Sequence, residues 1–168
     1  AAIRDAEAKR DELERAAKEE QKIAGEYLRP ILLLQAEPRS ATDDDRITVK
    51  RVRQFLVEEL QIPTDQVAIK TGEQDELAGL DLFARECQVR CIITVYALKE
   101  GWDCSFAYVL VSVASLNQRL AVEQLIGRVL RMPGARRKQT ESLNYAYVYT
   151  DSPQFHAQFV GTQPVHGQ

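Results

Sequence analysis

The stretch QLIGRVLR at 124–131 puts one amide, one glycine and two guanidinium groups into eight residues. The surrounding segment, SLNQRLAVEQLIGRVLRM (115–132), has apolar residues at helical spacing, with Ser115 placed to cap it and Pro133 to stop it. At about 100° per residue, with Gln124 as zero, Arg128 falls at about 40°, Arg131 at about −20° and Gly127 at about −60°. These four residues share one ribbon, while Val122, Leu125, Val129 and Met132 form an apolar face beside it. A pair of arginines on a helix can be no more than a solvated edge. Gly127 points the other way, because glycine inside a helix costs about 1 kcal/mol relative to alanine and suits the close approach of a ligand or another backbone. Arginine also matches phosphate in a planar, two-pronged geometry that lysine lacks.

A second constellation follows a long apolar run. IITVYALKEGWDC (92–104) breaks at Lys99-Glu100 and continues as Gly101-Trp102-Asp103. Gly101 allows positive φ or close approach. Asp103 can accept from a sugar hydroxyl, hold an arginine, or simply cap the turn that ends a strand.

The elements that position these groups alternate. Apolar runs at 31–37, 66–72, 90–98, 106–114 and 144–151 read as strands, several of them continuously apolar, as strands covered on both faces are. Helical patterns lie between them. TDDDRITVKRVRQFLVEEL (42–60) opens on Thr42 and acids, EQDELAGLDLFARE (73–86) is shorter, and 115–132 is the strongest. Strand alternating with helix predicts an α/β fold, a three-layer domain with a mainly parallel sheet flanked by helices. In such sheets ligands bind beyond the carboxyl ends of the strands, so the residues just after each strand are the ones to inspect.

Residues 1–28 are rich in Ala, Glu, Lys and Arg, with oppositely charged residues at i,i+3 and i,i+4. Ile3, Leu13, Ile23 and Leu28 are too sparse for a core face, so this segment reads as a solvated connector helix from a preceding domain. The domain proper is expected over 29–151, and 152–168, with Pro153, Gly161, Pro164 and Gly167, as an irregular tail.

Hydrophobic residues make up 45% and charged residues 28% of the 168, which are globular proportions; the net charge of −3 excludes a globally basic nucleic-acid binder, so any such surface must be local. No apolar run is long enough to span a bilayer and no signal peptide is visible, so a cytoplasmic protein without a membrane partner is expected. Cys87, Cys91 and Cys104 lack metal-site spacing, and no metal ligands are assigned. Met132 is the only methionine, and the chain is expected to be a piece of a longer protein.

A strand ending in KEGWD, a further strand, and then a helix carrying QLIGRVLR resembles motifs V and VI of superfamily 2 helicases and translocases, which lie on their second RecA-like domain. The pattern QxxGRxxR is matched at Gln124, Gly127, Arg128 and Arg131. More narrowly, KTGEQDELAGLDLF, IITVYALKEGWDCSFAYVLVSVAS, EQLIGRVLRMP and LNYAYVYT are similar to the restriction (Res) subunit of type III restriction enzymes, a likeness that covers residues 30–150. The resemblance implies the second motor domain of an ATP-dependent DNA translocase, with ATP and Mg2+ held mainly by a first RecA-like domain. No GxxxxGK[ST] loop occurs in this chain, and the acids at 43–45 and 75–77 do not follow buried strands as a magnesium-binding acid should. It implies Arg131 and Arg128 as the catalytic arginines that meet the γ-phosphate, and Gln124, Gly127, Gly101 and Asp103 as nucleotide contacts. Thr94, Lys70 and Arg39, with the loops 35–39 and 70–72, are candidate contacts to the backbone of double-stranded DNA. Many superfamily 2 proteins carry a threonine eight residues before the motif V aspartate; here that position is Val95, one residue after Thr94. A methyltransferase subunit is the implied partner of a type III enzyme. Two other readings share the sequence: a repair-type superfamily 2 translocase, and a non-catalytic α/β module whose arginine ribbon binds a protein.

Overall fold

The computed structural model describes residues 2–25, 27–36, 45–71, 74–82, 84–94, 107–112, 141–150, 156–160 and 163–164. Each of the five predicted apolar runs forms a strand. They are β1 (Ile31–Gln35), β2 (Val67–Ile69), β3 (Cys91–Thr94), β4 (Ala107–Ser112) and β5 (Ala146–Thr150). Two more strands follow, β6 (His156–Val160) and β7 (Gln163–Pro164). The sheet order is β2-β3-β1-β4-β5-β6-β7. The first five strands in that order are parallel, and β6 and β7 add an antiparallel edge. This is the expected α/β fold of the RecA-like kind, a mainly parallel sheet flanked by helices.

The continuous apolar runs follow from double-sided burial. Ile31, Leu32, Leu33 and Leu34 are wholly buried, as are Ile92, Ile93, Val109, Leu110 and Val111. Side chains on successive residues of a strand point to opposite faces, so no position in these runs can be polar without a buried partner. Pro164 sits on the outermost strand, the place in a sheet where proline is tolerated. These two strands correct the expectation of an irregular tail over 152–168.

The helix α1 (Ala2–Ala24) corrects the expectation of a solvated connector. Ala6, Leu13 and Ala17 are wholly buried, and Arg10, Glu14 and Glu20 are buried with them. Alanines at 6 and 17 let the helix come close to the sheet, and α1 packs on β1, β4 and β5. Lys9 lays its ammonium over the ring of Tyr147, 4.5 Å from the centroid.

Buried charge joins α1 to the N-terminal ends of the strands. Arg10 donates to Glu7, to Glu14 Oε1 at 2.6 Å and to the carbonyl of Pro30 at 3.3 Å. Arg90, just before β3, donates to the same Glu14 Oε1 at 2.9 Å. Burial alone would raise the Glu14 pKa, but the hydrogen bonds and charges of Arg90 and Arg10 outweigh it and hold the carboxyl below the usual range. Cys91 faces this cluster, its Sγ 3.8 Å from Glu7 Oε1, and burial together with the Glu7 carboxylate pushes its thiol up. Arg29, also buried, donates to the carbonyls of Val89 (2.8 Å), Ala84 (3.0 Å) and Leu82, which fastens the segment before β3 to the start of β1.

The second helix, α2 (Asp45–Gln54), is extended by a π-helical turn over Phe55–Glu59 and packs against β3. It ends where Gln61 takes a left-handed φ of 57° and the Ile62 N–H bonds back to the Leu56 carbonyl, just ahead of Pro63. Thr42, its expected cap, lies outside the described residues.

No helix forms in the described part of 73–86, which is a correction. Asp75 Oδ1 accepts the Leu77 N–H at 3.0 Å, and Glu76 Oε1 accepts the Ile69 N–H at 3.0 Å. Both side chains thus hold the backbone in turns rather than leaving it to a helical ladder. Gly79 at φ 77° then takes a conformation that a helix interior excludes.

Substituting Leu13→Ala is expected to destabilise the chain by about 2–5 kcal/mol in denaturant unfolding, because the side chain is wholly buried between helix and sheet. A solvated connector would give a change below about 0.5 kcal/mol.

Candidate functional site

Register brings the last residues of the five parallel strands into one row. Gln35 pairs with Thr94 on one side and with Ser112 on the other, and Ser112 pairs with Thr150. Beyond β3, Ile69 pairs with Ile93, and the next N–H, that of Lys70, donates to the Ile93 carbonyl at 2.8 Å. The row therefore reads Lys70, Thr94, Gln35, Ser112, Thr150 across β2, β3, β1, β4 and β5. One residue earlier the row is Ile69, Ile93, Leu34, Val111, Tyr149. Polar chemistry begins at the same level on every parallel strand, at the carboxyl edge where ligands of open α/β sheets are received.

Two members of the row carry buried polar atoms without a hydrogen-bond partner among the described residues. Thr94 is wholly buried, and its Oγ1 has no hydrogen bond among the described residues; the same holds for Gln35 Oε1. Cys91 faces α1, so alternation turns Ile92 and Thr94 to the opposite face of the sheet, and Gln35, in register with Thr94, turns the same way. Buried polar atoms are nearly always hydrogen-bonded, and two orphaned polar atoms side by side call for an explanation such as a bound water or ion.

Lys70 brings the row's one cation. Its ammonium lies 3.2 Å from Asp75 Oδ2, and a short antiparallel bridge joins the two residues. Arg53, from α2, pairs with Glu76 next door. The row contains no carboxylate; Lys70 offers an ammonium and Thr94 a hydroxyl, donors that suit an anion such as phosphate.

No protein-family model, no curated protein and no solved structure matches the chain.

Of the residues singled out in the sequence, Thr94 and Lys70 stand side by side in the polar row. Arg131, Arg128, Gln124, Gly127, Gly101, Asp103 and Arg39 lie outside the described residues. By connectivity, Gly101 and Asp103 follow the carboxyl end of β3, and 124–131 follows that of β4. Among the described residues no helix is long and apolar enough to cross a membrane. Sequence reasoning singled out the loops after β1 and β2 but missed Ser112 and Thr150 as row members. Their signal is simple: each apolar run ends on its first polar residue, as in ILLLQ, CIIT, AYVLVS and AYVYT.

Thr94→Val removes the orphaned hydroxyl with little change of shape. Equilibrium unfolding is expected to show unchanged stability or a gain of about 1 kcal/mol, since an unpaired buried polar group is a cost to the fold. A loss of about 1 kcal/mol or more would mean that the hydroxyl is already satisfied within the protein.

Proposed function

We propose that the chain is the second RecA-like motor domain of an ATP-dependent DNA helicase or translocase, similar to the restriction subunit of type III restriction enzymes. The observation that carries this reading is the polar row at the carboxyl edge of a doubly buried parallel sheet. Two of its buried oxygens have no hydrogen bond among the described residues, and in sequence GWD follows β3 and QLIGRVLR follows β4, the strands on either side of β1.

In this reading the chain supplies one wall of a cleft. ATP supplies the phosphoryl group whose hydrolysis drives movement, and a first RecA-like domain holds it together with Mg2+. Arg131 and Arg128 bring positive charge to the γ-phosphate, where charge builds up during transfer. Gln124 and Gly127 line the nucleotide side of the same helical ribbon, and Gly101 and Asp103 meet the ribose side. Thr94, Lys70 and Arg39 contact the DNA backbone without reading bases, as phosphate contacts do. The methyltransferase partner belongs to the narrower, type III form of the reading.

In a protein that joins this chain to its first motor domain, Arg131→Ala is expected to lower DNA-stimulated ATP hydrolysis by about 10³-fold or more, with DNA binding kept. Turnover within about tenfold of the unsubstituted protein would contradict the assignment. The 168-residue chain alone is expected to hydrolyse no ATP.

A further inference from the structure

Lys70, the row's cation, and Arg53 beside it are both held by acids of the chain's own next turn. The segment that follows β2 doubles back on itself. Thr71 N–H donates to the Gln74 carbonyl at 2.7 Å, and Glu76 N–H to the Ile69 carbonyl at 2.9 Å. This return places Asp75 on Lys70 and Glu76 on Arg53. The two acids are anchored differently. Glu76 is tied into the fold, since its Oε1 also accepts the Ile69 N–H and its Oε2 accepts from the Gln74 amide at 2.9 Å. Asp75 spends Oδ1 on the Leu77 N–H, and only Oδ2 is left for the lysine.

The Lys70–Asp75 pair is partly exposed, with side-chain accessibilities of 24% and 41%. Exposed pairs of this kind are weak and screened by salt, whereas a phosphate chain presents many charges and releases counterions when it is neutralised. The lysine can therefore change partners while Asp75 stays fixed through Leu77.

We propose that the acidic turn at 74–77 is an internal competitor for the DNA phosphate backbone, in which the Asp75 carboxylate occupies Lys70 until a phosphate displaces it. The turn then sets an affinity threshold at one end of the polar row: strands that cannot displace Asp75 are held less tightly, and Lys70 is not left bare to bind small anions. The inference rests on the DNA-backbone reading above.

The test is a double-variant cycle on the 168-residue chain, with binding of a labelled duplex followed by fluorescence anisotropy at low salt. Asp75→Asn keeps the oxygen that accepts the Leu77 N–H, so the turn persists while the charge on Lys70 is released. Affinity is expected to rise about two- to fivefold, the equilibrium equivalent of one exposed ion pair. The gain must vanish in the Lys70→Gln background. A gain of the same size in that background would show only the general effect of removing a negative charge, and would overturn the proposal. So would no gain at all in Asp75→Asn while the unsubstituted chain binds the duplex. If neither the unsubstituted chain nor Asp75→Asn binds duplex at low salt, the DNA-backbone reading falls and the proposal falls with it.

Discussion

A parallel strand covered on both faces has nowhere along its length to put a polar side chain, and the rest of this molecule is arranged around that constraint. From Ile31 to Leu34, and again through Ile92, Ile93, Val109, Leu110 and Val111, the sheet interior is wholly buried. Apart from the tyrosines of β4 and β5, the polar side chains described lie toward the two ends of the strands, and the ends differ. At the amino end, buried arginines are matched to carboxylates and carbonyls. At the carboxyl end, the row through Lys70, Thr94 and Gln35 includes buried oxygens with no partner among the described residues. An end with its polar groups satisfied belongs to the fold. An end with them unsatisfied is where a ligand can add something the fold lacks.

The amino end shows how buried charge can be tolerated. Arg10 and Arg90 converge on one oxygen of Glu14, and Arg10 also reaches the carbonyl that precedes β1. Taking such ions out of water is expensive, and removing one partner of a buried pair generally costs about 3–5 kcal/mol because the other is left stranded. The cluster joins α1 to the starts of β1 and β3 and fixes how the helix lies on the sheet. Arg29 does the same work for the segment before β3 through its carbonyl contacts.

The five parallel strands were legible because a doubly buried strand must be continuously apolar, and few other elements of that length are. The helix α1 was misjudged because its inward face sets a single large buried residue, Leu13, among alanines and paired charges rather than a stripe of large apolar residues. Arg10 and Glu14 look like solvent residues unless their partners Arg90 and Pro30, far along the chain, are known. The pattern at 73–86 has helical spacing, yet Asp75 and Glu76 bind nearby N–H groups with their side chains, a local competition that periodicity does not register. The strands β6 and β7 were missed because His156–Val160 and Gln163–Pro164 are short and lie among prolines and glycines that read as loop. The polar row was half visible. Each strand announces its own end, but only register shows that the five ends are level.

The central claim is that the carboxyl edge of the sheet is the face that meets a phosphate ligand and the amino edge is structural. The most direct measurement is amide chemical-shift mapping of the labelled chain titrated with a short DNA duplex. The account predicts perturbations gathered on the strand ends at Lys70, Thr94, Gln35, Ala36 and Thr150, with Arg29, Arg90 and Glu14 unmoved. Shifts concentrated on the amino edge or along α1, or no shifts at the strand ends at all, would contradict it.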